Sequence, residues 1–430
     1  MESKYIRKRE TDWKVTALCF LIVTFVCFLS FFSYTGYMLN TECLIIGFGI
    51  LLLNIGDDRY FTVIPITMLC IGVLFLLFVS GRFGERGFNA PIVNAYKYVY
   101  LFICAVCAVF TKGLERQWKA AVVKVTIVVY VFTELISIYY AVFVNAEAIR
   151  YANQLGFRFA ANFDQVFAAP FTMSCLVLML RENKLSVLEK CFAIGGVIIT
   201  GLFCFLSGIT TSFLLTAISA SVAFFLSTKG SKKKYVFILL AVIIVCAVVY
   251  IYKQQISDYL YRITEDLAPD FRRRIRYVTD ELLGTEHYNE GYEHEGRERL
   301  VAYSLNSFKN NPIFGIGYWE YGFMTIGAHT EWVDMLGVFG LVGTALFGIS
   351  VFILCRSIFI RSEDRTERIS FFIALGIMFL LGFLDPFLSM PVLIMVFVVA
   401  PNISSVDKTL RREIPKRHYL YLKEGNELHA

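Results

Sequence analysis

Residues 191–228 read CFAIGGVIITGLFCFLSGITTSFLLTAISASVAFFLST, thirty-eight positions without one Asp, Glu, Lys or Arg. A bilayer core of roughly 30 Å needs ~20 apolar residues per crossing helix. The stretch is too long for one such helix and suits two, turning near Ser207-Gly208. Worked outward on the same rule, apolar runs mark spans at 14–34, 39–56, 61–80, 91–111, 121–145, 163–180, 189–207, 209–227, 235–252, 329–355, 369–385 and 387–406. Of 430 residues, 57% are apolar. That is about 245 residues, against about 240 for twelve spans of ~20. Charged residues fall to 18%, below the ~25% of soluble domains, and mean hydropathy is +0.61. A soluble globular enzyme, a disordered chain and a disulfide-stapled secreted domain are excluded. The expected fold is an all-α polytopic membrane protein with about twelve transmembrane helices.

Charge placement gives the orientation. Lys and Arg gather in the segments between spans that lie inside if the N-terminus is cytoplasmic, and the short outer loops hold only Arg82, Arg86, Arg150 and Arg158. That is the positive-inside pattern, with both termini cytoplasmic. Lys4, Arg7, Lys8 and Arg9 precede a long apolar run without a small-residue cleavage site, as in a retained anchor. The layout is then 1–252 with helices one to nine, an extracytoplasmic loop at 253–328, helices ten to twelve at 329–406, and a basic cytoplasmic tail at 407–430. All eleven cysteines fall inside apolar runs, which implies neither a disulfide framework nor a thiolate metal cage. Cys104 and Cys107 form a C-x-x-C that reads as two small hydrophobes in mid-helix. No metal, cofactor or nucleic-acid partner is expected.

The 76-residue loop at 253–328 concentrates the polar mass, which makes it the first place to look for chemistry. Residues 269–283 read as an amphipathic helix, with Pro269 at its start and Gly284 past its end. Phe271, Ile275, Val278 and Leu282 form one stripe, and Arg272, Arg273 and Arg276 point away from it, toward solvent, lipid head groups or a bound anion. A second helix is expected at 297–310. Arg297 shares the stripe of Val301, Leu305 and Phe308, so it needs an anionic partner, either a nearby Glu or a substrate phosphate. A Gly- and Pro-rich turn follows, Asn311-Pro312-Ile313-Phe314-Gly315-Ile316-Gly317-Tyr318. His329 then opens the tenth span at the outer surface, as a polar helix start or as a general base. Within spans, Glu134 and Lys97 are each either functional or paired to a neighbouring helix. The 41 Phe and 24 Tyr are mostly lipid-facing and interfacial.

The stretch from Gly296-Arg297 to Gly343 resembles the signature region of the bacterial O-antigen ligase and O-antigen polymerase superfamily. These are integral membrane glycosyltransferases that use undecaprenyl-diphosphate-linked glycans. The family pattern has an Arg opening a periplasmic helix, then Asn/His-Pro-x-x-Gly-x-Gly, then a His and a polar residue leading into a span with two spaced glycines. Here these are Arg297, Asn311-Pro312-Ile313-Phe314-Gly315-Ile316-Gly317, His329-Thr330, and Gly340 with Gly343. Leu155-Gly156-Phe157 and Asn162 resemble a further family motif, with Ala160-Ala161 in place of its His-Pro. Ser207-Gly208-Ile209-Thr210 resembles a Ser-Gly-Ser-Arg turn without the Arg.

The resemblance implies glycosyl transfer at the outer face of the bacterial cytoplasmic membrane. Its partners are an undecaprenyl-diphosphate-linked oligosaccharide, membrane lipids, and a flippase and chain-length regulator of the same pathway. Arg297 and Arg158 are expected to bind diphosphate, with Arg272, Arg273 and Arg276 as substitutes for the Arg missing near Ser207-Gly208. His329 is expected to act on the acceptor hydroxyl, with Glu331 or Asp334 orienting it. Polymerase is the first reading, for capsule, exopolysaccharide or O-antigen. A ligase is the second, and a transporter or lipid flippase is the reading of another class.

Overall fold

The computed structural model describes residues 60–79, 96–145, 148–151, 155, 160–161, 163–227, 251–263, 265, 272, 276, 279, 294–317, 320–321, 324–325, 330–362, 364–385 and 387–407. The spans expected at 14–34 and 39–56, all but the last two positions of the one at 235–252, and the tail from 408 lie outside these residues.

The uncharged stretch folds as two helices, α6 (Val187–Ser207) and α7 (Thr210–Ser227). Gly208 ends α6 in the left-handed region at φ 65°, a conformation open to Gly because it has no Cβ. The Ser207 hydroxyl accepts from the Ile209 N–H at 3.2 Å, easing the turn. At the other end of α6, Ser186 and Glu189 form a capping box, each side chain accepting from the other's backbone N–H. Before them come α1 (Tyr60–Val79), α2 (Tyr96–Lys112), α3 (Arg116–Phe143), the short α4 (Ala148–Tyr151) and α5 (Phe163–Glu182). Beyond them lie α8 (Lys253–Ile263), α9 (His294–Asn310), α10 (Glu331–Ile360), α11 (Arg365–Leu384) and α12, which begins at Met390–Ile394.

Four of these, α3, α6, α10 and α11, are long and apolar enough to cross a membrane. Their exposed faces carry Phe132, Phe143, Leu188, Ile198, Phe352, Phe372 and Phe379, apolar surface that suits acyl chains rather than water. The architecture fits an α-helical polytopic membrane protein. At its centre, α2 is buried without a break from Leu101 to Phe110, as a helix apolar all round should be. Cys104 and Cys107 are buried there, with Cys104 Sγ 3.5 Å from Met390 Sδ. They are core residues, as their apolar context implies.

Several details depart from expectation. The span from Met390 is α-helical to Ile394, then π-helical over Met395–Val399 and 3-10 over Ala400–Val406. Its last carbonyls are held by cations and an amide from neighbouring helices: Lys112 on Pro401 O (2.5 Å), Asn183 on Ile403 O (2.9 Å) and Arg116 on Ser404 O (2.6 Å). Lys112 also pairs with Glu367 at 2.6 Å. Positive groups at a helix C-terminus answer its unpaired carbonyls and dipole. The loop contains α8, which the sequence pattern did not signal, and a small antiparallel hairpin pairing Glu320 with Thr325 and Tyr321 with Met324. α9 begins three residues before the expected 297. Of the helix expected at 269–283, the described positions Arg272, Arg276 and Thr279 are helical.

The largest difference lies in α10. The expected continuous span is broken at Gly340, whose φ of 63° and ψ of −168° leave the helical region.

Candidate active site

A break in a helix frees carbonyls before it and N–H groups after it, and in a membrane protein these need partners from the chain itself. The Asn311–Gly317 turn supplies them. The N–H groups of Ile316 and Gly317 donate to the carbonyls of Gly337 (3.0 Å) and Val338 (2.8 Å). In return, the N–H groups of Leu341 and Val342 donate to the carbonyls of Pro312 (2.8 Å) and Ile313 (3.0 Å). Four backbone hydrogen bonds thus stitch the turn into α10. The approach is so close that a Cβ on Gly315 would strike the Val338 backbone, and one on Gly340 the Ile313 backbone. Gly337 lets α9 in as well, since its Cβ would lie 2.9 Å from Ser304 O. Gly343 receives Tyr98, whose hydroxyl donates to the Gly343 carbonyl at 2.5 Å. The Tyr98 ring meets Phe339 and Phe347 edge-on. The glycines of both motifs therefore mark places where other chain segments touch α10.

The first turn of α10 carries two buried acids. Asp334 accepts from the Ser304 hydroxyl on α9 (2.5 Å) and from the backbone N–H of Thr330 (3.1 Å). It caps the helix start, a role the Thr330 side chain does not take. Glu331 is fully buried. One carboxylate oxygen pairs with the Lys97 ammonium on α2, and the other accepts from the N–H groups of Phe387 and Leu388, at 2.9 Å each. Trp332 donates its indole N–H to Phe379 O on α11 at 3.0 Å. The start of α10 is thereby bound to α2, α9, α11 and the segment leading into α12.

Of the residues expected in the site, Glu331 and Asp334 are brought together on one helical turn, each with its hydrogen bonds met. His329 lies outside the described residues, one position before Thr330. Arg297 is a position on α9 two turns before Ser304, and its side chain lies outside the described residues, as do Arg158 and Arg273. Arg272 and Arg276 are half-buried. Arg276 donates to Tyr261 O on α8 (3.2 Å), with its guanidinium 4.7 Å from that ring's centroid. Among the described residues, no group of three or more His, Cys, Asp or Glu is arranged to hold a metal ion.

The sequence singles out Lys97 as an intramembrane cation, functional or paired, but not Glu331 as its partner, and Ser304 and the Phe387–Leu388 amides give no signal at all. Glu134, the other intramembrane candidate, accepts from Thr200 on α6 at 2.7 Å, while its second oxygen is buried without a partner.

A search of curated proteins finds no match for this chain. Residues 195–348 run from α6 through α9, the inserted turn and the break in α10; they match the family model of O-antigen ligase, which supports the O-antigen ligase and polymerase superfamily for this chain.

Proposed function

We propose that this protein is a polysaccharide polymerase joining undecaprenyl-diphosphate-linked oligosaccharide repeat units at the outer face of the cytoplasmic membrane. The observation that carries the reading is the Asn311–Gly317 turn stitched into α10 at Gly340, inside the matched stretch. That arrangement holds the loop helix bearing Arg297 against the helix that His329 leads into. Twelve spans with both termini cytoplasmic would set this place outside. In this layout 1–252 and 329–406 form the membrane part, 253–328 the outer loop and 407–430 the inner tail.

In the reaction an acceptor hydroxyl oxygen attacks the anomeric carbon of the lipid-linked glycan. The bond from that carbon to the diphosphate oxygen breaks, and lipid diphosphate leaves with the electron pair. His329 takes the hydroxyl proton. Arg297 and Arg158, with Arg272, Arg273 and Arg276 as substitutes, offset the growing phosphate charge through the planar guanidinium fork. Glu331 and Asp334 act on His329 through the helix start that they fix. A flippase and a chain-length regulator would supply and limit the substrate.

The description of the matching model favours a second reading, a ligase that moves finished glycan to a different acceptor. Purified protein in detergent, given radiolabelled lipid-linked repeat units, is expected to form new glycosidic bonds without a membrane gradient. Vesicle-dependent translocation with no new bond would make it a transporter. In a deletion strain, surface glycan limited to single units identifies a polymerase, and long chains accumulating on carrier lipid identify a ligase.

A further inference from the structure

Lys97 is a buried cation in an apolar helix, and a buried charge persists only where others answer it. Its ammonium meets the Glu331 carboxylate directly, one turn of α10 from the buried Asp334. Glu331 is held from the opposite side by the amides of Phe387 and Leu388. Pulled from both directions, the first residue of α10 has its place set relative to α2 and α12.

We infer that Lys97 is a positioning residue for the transfer reaction, fixing through Glu331 the helix start that follows directly on His329. The inference rests on the glycosyl-transfer reading above. Lys97 itself is buried, with its ammonium taken up by Glu331. Its removal would leave Glu331 with two amides and no cation, and the turn would relax. A displacement of about 1 Å in a reacting group is enough to cost about a hundredfold in rate.

The test compares full-length protein carrying Lys97→Arg, Lys97→Met and the double change Lys97→Met with Glu331→Gln, each purified in detergent. Transfer is measured with radiolabelled undecaprenyl-diphosphate-linked repeat units, and thermal unfolding is recorded on the same samples. Lys97→Met is expected to lower kcat about ten- to hundredfold with KM within about twofold. Lys97→Arg should recover much of the rate. The double variant removes both charges and keeps a neutral acceptor for the amides, so its melting temperature should return toward wild type while kcat stays low. If kcat returns together with stability in the double variant, the pair is only structural and the inference is overturned. A rise in KM with unchanged kcat would place Lys97 on the substrate and overturn it equally. Absence of transfer by the wild-type protein would overturn the underlying reading, an outcome visible before any variant is made.

Discussion

Gly315 in the loop turn and Gly340 in α10 face each other so closely that a Cβ built on either falls 2.5 Å from the backbone nitrogen of the other. Both have positive φ, 65° and 63°. A side chain at either position would therefore meet strained backbone torsions and occupied space at once.

Gly315→Ala and Gly340→Ala should each destabilise the protein by at least ~2 kcal/mol, because backbone rather than a flexible side chain would have to move. Gly348→Ala, lower in the same helix with nothing within 4 Å of its Cβ, should be neutral or slightly stabilising. Thermal unfolding of the three variants in one detergent checks the ordering.

Ser304→Ala removes one donor from the buried Asp334 carboxylate and should cost about 1–3 kcal/mol. Asp334→Asn keeps an acceptor oxygen for the Thr330 N–H and should cost less than Asp334→Ala. Protease sensitivity of the 294–330 region should rise in step with these losses, since Asp334 is what ties α9 to α10 at this point.

His329→Ala should lower transfer by about 10²–10⁴ at unchanged expression, the usual contribution of a general base. Arg297→Ala should lower it by ~10²–10³, with Arg297→Lys recovering only part, since an ammonium lacks the paired donors of a guanidinium. Normal polymer yield from the His329 variant would reject its assignment as the base.

Thr200→Val should cost about 1–3 kcal/mol, because it takes away the hydrogen bond that the buried Glu134 receives. Glu134→Met should cost less, since it removes the buried carboxyl and leaves a hydroxyl that can turn to its own helix carbonyl. Melting temperatures of the two single variants and the double decide this.

Much of the helical layout follows from the primary structure. The turn at Ser207-Gly208 is legible because thirty-eight uncharged residues exceed one bilayer crossing and Gly punctuates the run. The loop helix ending before Pro312 and the turn after it are legible for the same local reasons. The 3-10 turns of α12 are not, because their carbonyls answer to Lys112, Asn183 and Arg116, distant in sequence. The break at Gly340 is hidden too. Two glycines three apart in an apolar run are common in membrane helices, and only the inserted turn makes one of them a break.

Segment by segment, composition was enough to mark the apolar helices, α3, α6, α10 and α11 among them, since fitness for lipid depends on each stretch's own apolar content. It also set Glu331 and Asp334 on one helix start, because a helical turn is a local fact. Packing alone chose the partners: Lys97 meets Glu331 across 234 positions and Tyr98 meets the Gly343 carbonyl across 245. Such pairings answer to three-dimensional closeness and to the cost of leaving a buried charge or backbone group unmet, and neither leaves a trace in local pattern.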